Sequence, residues 1–347
     1  MTPRPTRIVE KLIPYVPGEQ PRDGEYIKLN TNENPYPPSP SVIEALRGEE
    51  FVRMRLYPDP ICSKLRSLLA KKHDIDPVRI FVGNGSDEVL RLLFQAYLGP
   101  EDVLAMTEPT YSLYPVLAEA IGVKHASFDL DENGGLPWIP DIAKYKVFVV
   151  PNPNPPLGNF YTVAELEPLV NAAPESLFII DEAYVDFAEN DSSTLLKTCQ
   201  NVVITRSFSK SYSLAGIRVG YAFGPQDIIT NLYKLKDSYN VNRLSQAAAE
   251  AAVQSEEYYR EISERIKKDR VFLKDELEKR GFRVSNSQGN FIFAEKDDGE
   301  ILYEKLKEKK ILVRFFDTPR LQSGVRITIG TRLQLESLLE AVDQSGV

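Results

Sequence analysis

Lys210 stands alone among hydroxyls in Arg206-Ser207-Phe208-Ser209-Lys210-Ser211-Tyr212. Arg218 follows eight residues later in Ala215-Gly216-Ile217-Arg218-Val219-Gly220. A lysine whose amine is held partly neutral by its neighbours forms a Schiff base with a carbonyl. Two hydroxyls and a guanidinium suit a phosphate, so Ser207, Ser209 and Arg218 form a candidate anion grip. Taken alone, the segment reads equally well as a solvated basic loop. In Leu177-Phe178-Ile179-Ile180-Asp181-Glu182-Ala183-Tyr184, an apolar run ends in a carboxylate. That places Asp181 at the carboxyl edge of a strand, where open α/β sheets bind ligands. Two acids after a strand also serve as metal ligands or as caps. What raises the odds is that Lys210 follows Asp181 by one strand–helix unit. A third segment, Gly83-Asn84-Gly85-Ser86-Asp87-Glu88, is a glycine turn opening a helix, whose first N–H groups and dipole suit an anion. It lacks the spacing of a dinucleotide fingerprint or a P-loop.

The elements that hold these segments alternate. Apolar strands are predicted at 80–82, 103–106, 147–150, 177–180, 202–205 and 219–223, with helices at 87–97, 112–121 and 163–172. Short, nearly continuous apolar strands between helices indicate an α/β fold with a mostly parallel, seven-stranded type of sheet covered on both faces. After Tyr239 the pattern changes to a long charged helix over 244–280. Short strands at 282–284, 291–294, 313–316 and 325–329 and a helix at 299–309 follow. The expected organisation is an N-terminal arm (1–40) joining the small domain, a large domain (41–243) and a smaller α+β domain (244–347). The arm is proline-rich and reads as extended rather than helical.

Composition removes other classes of function. The 347 residues carry a net charge of −8 with no dense basic block, a poor match to nucleic-acid or membrane-surface binding. No apolar run approaches the ~18–20 residues that span a bilayer, and the start MTPRPTRIVE has no signal-peptide core, so a cytoplasmic protein is expected. Two cysteines cannot build a cysteine zinc site. Two histidines, His73 and His125, lie in polar surroundings and read as surface residues. A Ser-His-Asp hydrolase and a histidine-rich metal centre are therefore disfavoured, and no metal is expected. A proton carrier here would be a lysine, a tyrosine or a carboxylate.

Taken together, the motifs resemble the fold-type I pyridoxal-phosphate aminotransferases, and within them the histidinol-phosphate aminotransferase branch. The likeness runs through LNTNENP (29–35), LYPDP (56–60), GNGSDE (83–88), EPTYSLY (108–114), NPNPPLG (152–158), DEAYVDF (181–187), SFSKSYSLAGIRVGY (207–221) and VRITIGT (325–331). It implies that Lys210 attaches the cofactor and shuttles a proton, and that Asp181 keeps the pyridine nitrogen protonated. Tyr184 would bond the phenolic oxygen, Tyr111 would stack on the ring, and Gly85, Ser86, Asp87, Ser207, Ser209 and Arg218 would hold the cofactor phosphate. Tyr15, Asn32, Arg314 and Arg326 would bind substrate, helped by Tyr57 reaching across a homodimer with shared sites. The implied reaction is transfer of the amino group of L-histidinol phosphate to 2-oxoglutarate, giving imidazole-acetol phosphate and glutamate, in histidine biosynthesis. Aromatic amino-acid aminotransferases and threonine-phosphate decarboxylases share the fold; a non-catalytic cofactor-binding regulator is the alternative of another class. One position departs from the pattern. Where the superfamily places an asparagine on the phenolic oxygen, this chain has Pro155, leaving Asn154, one residue earlier, as the candidate donor.

Overall fold

The structure is a computed structural model that describes residues 2–21 and 25–346. Residue 1 and residues 22–24 of the expected arm, and residue 347 of the expected small domain, lie outside the described residues. Val147–Pro151 and Leu177–Asp181 are buried at every position, which suits strands covered on both faces of their sheet. After a short arm strand, β1 (Ile27–Lys28), the central sheet is built from β2 (Ile80–Gly83), β3 (Val103–Glu108), β4 (Lys124–Asp129), β5 (Val147–Pro151), β6 (Leu177–Asp181), β7 (Val202–Ser207) and β8 (Gly220–Phe223). Its order is β2-β8-β7-β6-β5-β3-β4, and β8 alone runs against its neighbours. The expected sheet is borne out. β4 escapes sequence reading because it is an edge strand with exposed polar positions rather than an apolar run.

Helices cover both faces. Ser86–Tyr97, Leu113–Ala120 and Gln226–Leu235 pack on one, and Ser63–His73, Val163–Asn171 and Arg243–Gln254 on the other. Leu92, Leu93 and Phe94 are fully buried, each side chain contributing roughly 1.5–3 kcal/mol by leaving water. The histidine expectation needs one correction. His73 ends its helix on the face of Leu65 and Leu69, two steps of four residues apart, and so turns into the core. Its ring stacks on Phe223 at 4.3 Å and its Nε2 lies 2.9 Å from the Tyr221 hydroxyl. Burial lowers its pKa to about 3, so it is neutral. His125 is exposed as expected.

The helix expected over 244–280 is two helices, Arg243–Gln254 and Glu256–Lys279. Between them the Ser255 hydroxyl bonds back to the Ala251 carbonyl, a local contact that competes with helix continuation. The first helix supplies Ala248, Ala249 and Ala252 to the core beneath the central sheet, and the second supplies Ile262, Ile266 and Leu273 to a separate core. That second core backs an antiparallel sheet of β9 (Arg283–Val284), β10 (Phe291–Glu295), β12 (Arg314–Phe315) and β13 (Gly324–Thr328), in the order β12-β13-β10-β9. The strand expected over 313–316 is found as β12, and a separate two-residue strand that sequence reading did not give precedes it. β11 (Ile311–Leu312) pairs in parallel with β1 of the arm, whereas β12 pairs with β13. The arm also holds one short helix, Arg7–Lys11, where only extended chain was expected; the Thr6 side chain caps it. No helix among the described residues is long and apolar enough to cross a membrane.

Candidate active site

The carboxyl ends of β5, β6 and β7 deliver Pro151, Asp181 and Ser207 to one cavity between the two cores. Tyr15, Ser86, Asp87, Tyr111, Tyr184, Ser209, Lys210, Arg218, Arg314 and Arg326 line the same cavity. Chain positions from 15 to 326 converge there. Asn32, Tyr57, Gly85 and Asn154 do not line it.

One end is built for an anion. Helix Ser86–Tyr97 opens toward the cavity, and its first N–H groups have no partner in the helix. Gly85 precedes it at φ +86°, and a Cβ there would lie 2.5 Å from Arg218 Nη2. β8 approaches so closely that a Cβ on Gly220 would lie 2.3 Å from the Ser86 nitrogen. Glycine at both positions leaves a concave cradle. Arg218, held at φ +58°, donates from Nη1 to Ser209 Oγ at 3.2 Å and from Nη2 to Asp87 Oδ2 at 3.1 Å. Gly85 thus shapes the cradle from behind, and Ser86, Asp87, Ser207, Ser209 and Arg218 face into it. The residues present fit a phosphate.

The floor is an acid. Asp181 accepts from the Tyr114 hydroxyl at 2.7 Å and from Thr205 Oγ1 at 3.1 Å, and it is 4% exposed. Burial raises its pKa to about 6, against the lowering effect of those two hydroxyls. Sequence reading missed both partners. Tyr114 lies in the first turn of the helix that begins just after Tyr111, and Thr205 sits directly beside Asp181 in the β6–β7 register, so both were within reach of a spacing argument. The neighbouring acid has another task. Glu182 is buried and pairs with Arg206 at 2.7 Å, which sets aside the metal-pair reading of the two acids.

A carboxyl whose pKa is raised by folding binds its proton more tightly folded than unfolded. Its contribution to stability is full below about pH 4 and is lost as pH rises through about 6. In the cofactor-free protein, Asp181→Asn should therefore be more stable than wild type by about 2–3 kcal/mol near neutral pH. The gap should close toward acid pH. Denaturant unfolding of the two proteins across that range measures it, and a gap independent of pH would contradict the buried-charge account.

Lys210 reaches in from the loop after β7. Its Nζ donates to the Thr31 carbonyl at 3.3 Å and lies 5.4 Å from the Tyr184 ring centre. The Asn34 amide donates to the carbonyls of Lys210 and Ser211, which fixes the loop. Opposite stand two arginines. Arg326 donates from Nη2 to the Asn30 carbonyl at 2.9 Å, while its buried Nε has no partner. Arg314 donates to the carbonyls of Val16 and Pro17. Neither arginine has a carboxylate partner among the described residues.

Three expected site residues lie elsewhere. Asn154 is fully buried and donates to the Pro109 carbonyl, while Pro155 and Pro156 line the cavity in its place. Its backbone, bonded to Asn159 and Gly158, holds the side chain beneath the loop, so the expected donor is not presented here. Asn32 is buried and donates to the Tyr184 hydroxyl rather than facing the cavity. Tyr57 is 76% exposed on an outer face, stacked on Tyr239 at 4.4 Å.

Comparison with known proteins agrees with this geometry. The family description "Aminotransferase class I and II" matches residues 24–342. A histidinol-phosphate aminotransferase from Geobacter sp. is 44% identical over 341 residues, covering 97% of each chain. One from Clostridium beijerinckii is 41% identical, covering 96% of this chain and 94% of its own. A solved histidinol-phosphate aminotransferase from Sinorhizobium meliloti, in complex with pyridoxal-5'-phosphate, shares the fold with a TM-score of 0.90 at 21% identity, covering 99% of this chain and 98% of that one.

Proposed function

The chain belongs to the class I and II aminotransferases and, among them, to the histidinol-phosphate aminotransferases, and we propose that it transfers the amino group of L-histidinol phosphate to 2-oxoglutarate with pyridoxal 5'-phosphate as cofactor. One observation supports the substrate class above the others. Arg326 brings to the cavity a guanidinium with no carboxylate partner and a buried Nε without any partner, and Arg314 stands beside it on the neighbouring strand, opposite it in the β12–β13 register. Leaving a buried donor unpaired is unfavourable, so the place for an anion is built in before the anion arrives. Two cations suit a phosphate dianion better than a single carboxylate.

Bound pyridoxal phosphate supplies an aldehyde and a protonatable ring that accepts the electrons of a broken Cα–H bond. The chain's own residues do the rest. The cradle of Ser86, Asp87, Ser207, Ser209 and Arg218 would hold the cofactor phosphate, with Tyr111 on the cavity wall against the ring. Asp181 would offer a carboxylate acceptor to the pyridine nitrogen and so keep it protonated. The Lys210 amine would hold the aldehyde carbon and would accept and return the proton of the substrate Cα. Tyr184 would donate to the phenolic oxygen. Arg314 and Arg326 would hold the substrate phosphate, with Tyr15 on the cavity wall against Tyr111.

We infer a homodimer, because Phe51, Val52, Met54, Leu56 and Tyr57 form a run of exposed apolar side chains outside the cavity. A second copy covering that patch would bring Tyr57 toward its neighbour's substrate.

The test is the half-reaction of the purified enzyme, followed by cofactor absorbance. Histidinol phosphate should react, and histidine, phenylalanine and threonine phosphate should react poorly or not at all. Arg314→Ala should lower kcat/KM for histidinol phosphate by about 2–4 kcal/mol, the scale for breaking a desolvated charge pair. The loss for unphosphorylated histidinol should be much smaller. Equal losses for both donors would mean that Arg314 serves the fold and not the phosphate.

A further inference from the structure

Asn32 is 1% exposed and sits in the left-handed region at φ +55°. Three contacts fix it. Its backbone N–H donates to Thr328 Oγ1 at 2.9 Å, the Thr328 hydroxyl donates to Asn32 Oδ1 at 3.1 Å, and the Asn290 amide donates to the Asn32 carbonyl at 3.0 Å. With Oδ1 committed to Thr328, the atom facing Tyr184 is Nδ2, which donates to the Tyr184 hydroxyl at 3.0 Å. A phenol that accepts from an amide must send its single proton elsewhere. Tyr184 lines the cavity, and accepting one hydrogen bond strengthens the bond a hydroxyl donates in turn.

We propose that Asn32 is a positioning residue that turns the Tyr184 proton into the cavity, joining three parts of the molecule as it does so. Asn32 belongs to the arm, Tyr184 follows β6 of the large sheet, and Thr328 ends β13 of the small sheet. The hydroxyl is an oriented donor only when these three are assembled. This deepens the reading given under Proposed function, since the group that receives the proton is the phenolic oxygen of the bound cofactor. It also reassigns Asn32: the residue acts on the reaction through Tyr184 and does not touch the substrate. With Pro155 and Pro156 on the cavity wall and Asn154 turned to Pro109, the aligned Tyr184 proton takes on the task that an asparagine side chain would share.

The experiment is a pH titration of the absorbance of the bound cofactor in the purified holoenzyme without substrate. It compares wild type with Tyr184→Phe, Asn32→Asp, Asn32→Gly and the double variant Asn32→Gly/Tyr184→Phe. Asp keeps the shape and the Thr328 contact but loses the donor; Gly accepts the positive φ and adds no charge. Lys210, Asp181, Arg326 and Tyr111, which line the cavity, carry no substitution in any of these variants. A donor to the phenolic oxygen favours its deprotonated form, so losing the donor raises the titration midpoint. Tyr184→Phe should raise it by about one pH unit, a tenfold change in proton affinity, and both Asn32 variants by roughly half a unit or more in the same direction. The double variant should titrate like Tyr184→Phe alone. A wild-type midpoint in Asn32→Gly, a shift in Asn32→Asp only, or additive shifts in the double variant would each overturn the proposal. If neither Asn32 variant folds, Thr328→Val frees the amide to rotate and must raise the midpoint, and a wild-type curve there overturns the proposal as well. A wild-type protein that never shows a pH-dependent cofactor band would refute the cofactor reading, a failure separate from this one.

Discussion

Lys210→Ala should bind pyridoxal phosphate and yet lose transamination by ~10⁴-fold or more, since it removes the proposed attachment point and the proposed proton carrier in one step. Binding should survive because the phosphate cradle does not include the lysine side chain. The Gly85 turn, the helix start at Ser86 and the Arg218–Ser209 contact are all held by other atoms. Single-turnover absorbance with histidinol phosphate measures the loss, and equilibrium dialysis measures the retained cofactor. Borohydride reduction of the wild-type protein followed by peptide mapping should find the adduct on Lys210. An adduct on any other lysine would remove Lys210 from its role.

Asp181→Asn is the second large effect. The side chains are nearly the same size; Tyr114 donates to Oδ2 and Thr205 to Oδ1, so in the amide one hydroxyl keeps donating to the oxygen and the other turns to accept from the NH2, and the floor of the cavity keeps its shape. What disappears is the negative charge proposed to hold a proton on the ring nitrogen. Turnover should fall by ~10²-fold or more, the scale of one preorganised electrostatic contact. The same substitution is expected to stabilise the cofactor-free protein, so lost activity with raised stability would separate chemistry from folding in a single variant. Turnover near wild type would mean that the ring is protonated by another route.

The central sheet was legible because β5, β6 and β7 are apolar runs whose burial depends on both faces being covered. Lys210, Asp181 and Arg218 were legible for a related reason: a reactive group at a strand end is conspicuous against an apolar run. What sequence reading missed depended on partners far along the chain. β4 is polar because it has one neighbour, and the break at Ser255 falls where two cores compete for one helical stretch. His73 was read from its polar neighbours, although its spacing from Leu65 and Leu69 pointed inward. Asn32 looked like a substrate ligand because its motif does. Its contacts with Asn290 and Thr328 join positions 258 and 296 residues apart, and no local pattern records them.

The strand order carries a consequence for how the protein is made. β8 inserts between β2 and β7, so the proposed phosphate cradle is assembled from residues 85–87 and 207–220, halves separated in the chain by strands β3 to β6. During synthesis the first half leaves the ribosome with no guanidinium and no Gly220 behind it. Cofactor capture must therefore wait until β8 has emerged and slotted in, a late event governed by the slow closure of long-range pairings. A nascent chain arrested before residue 220 should ignore pyridoxal phosphate, and one extended well beyond it should begin to bind.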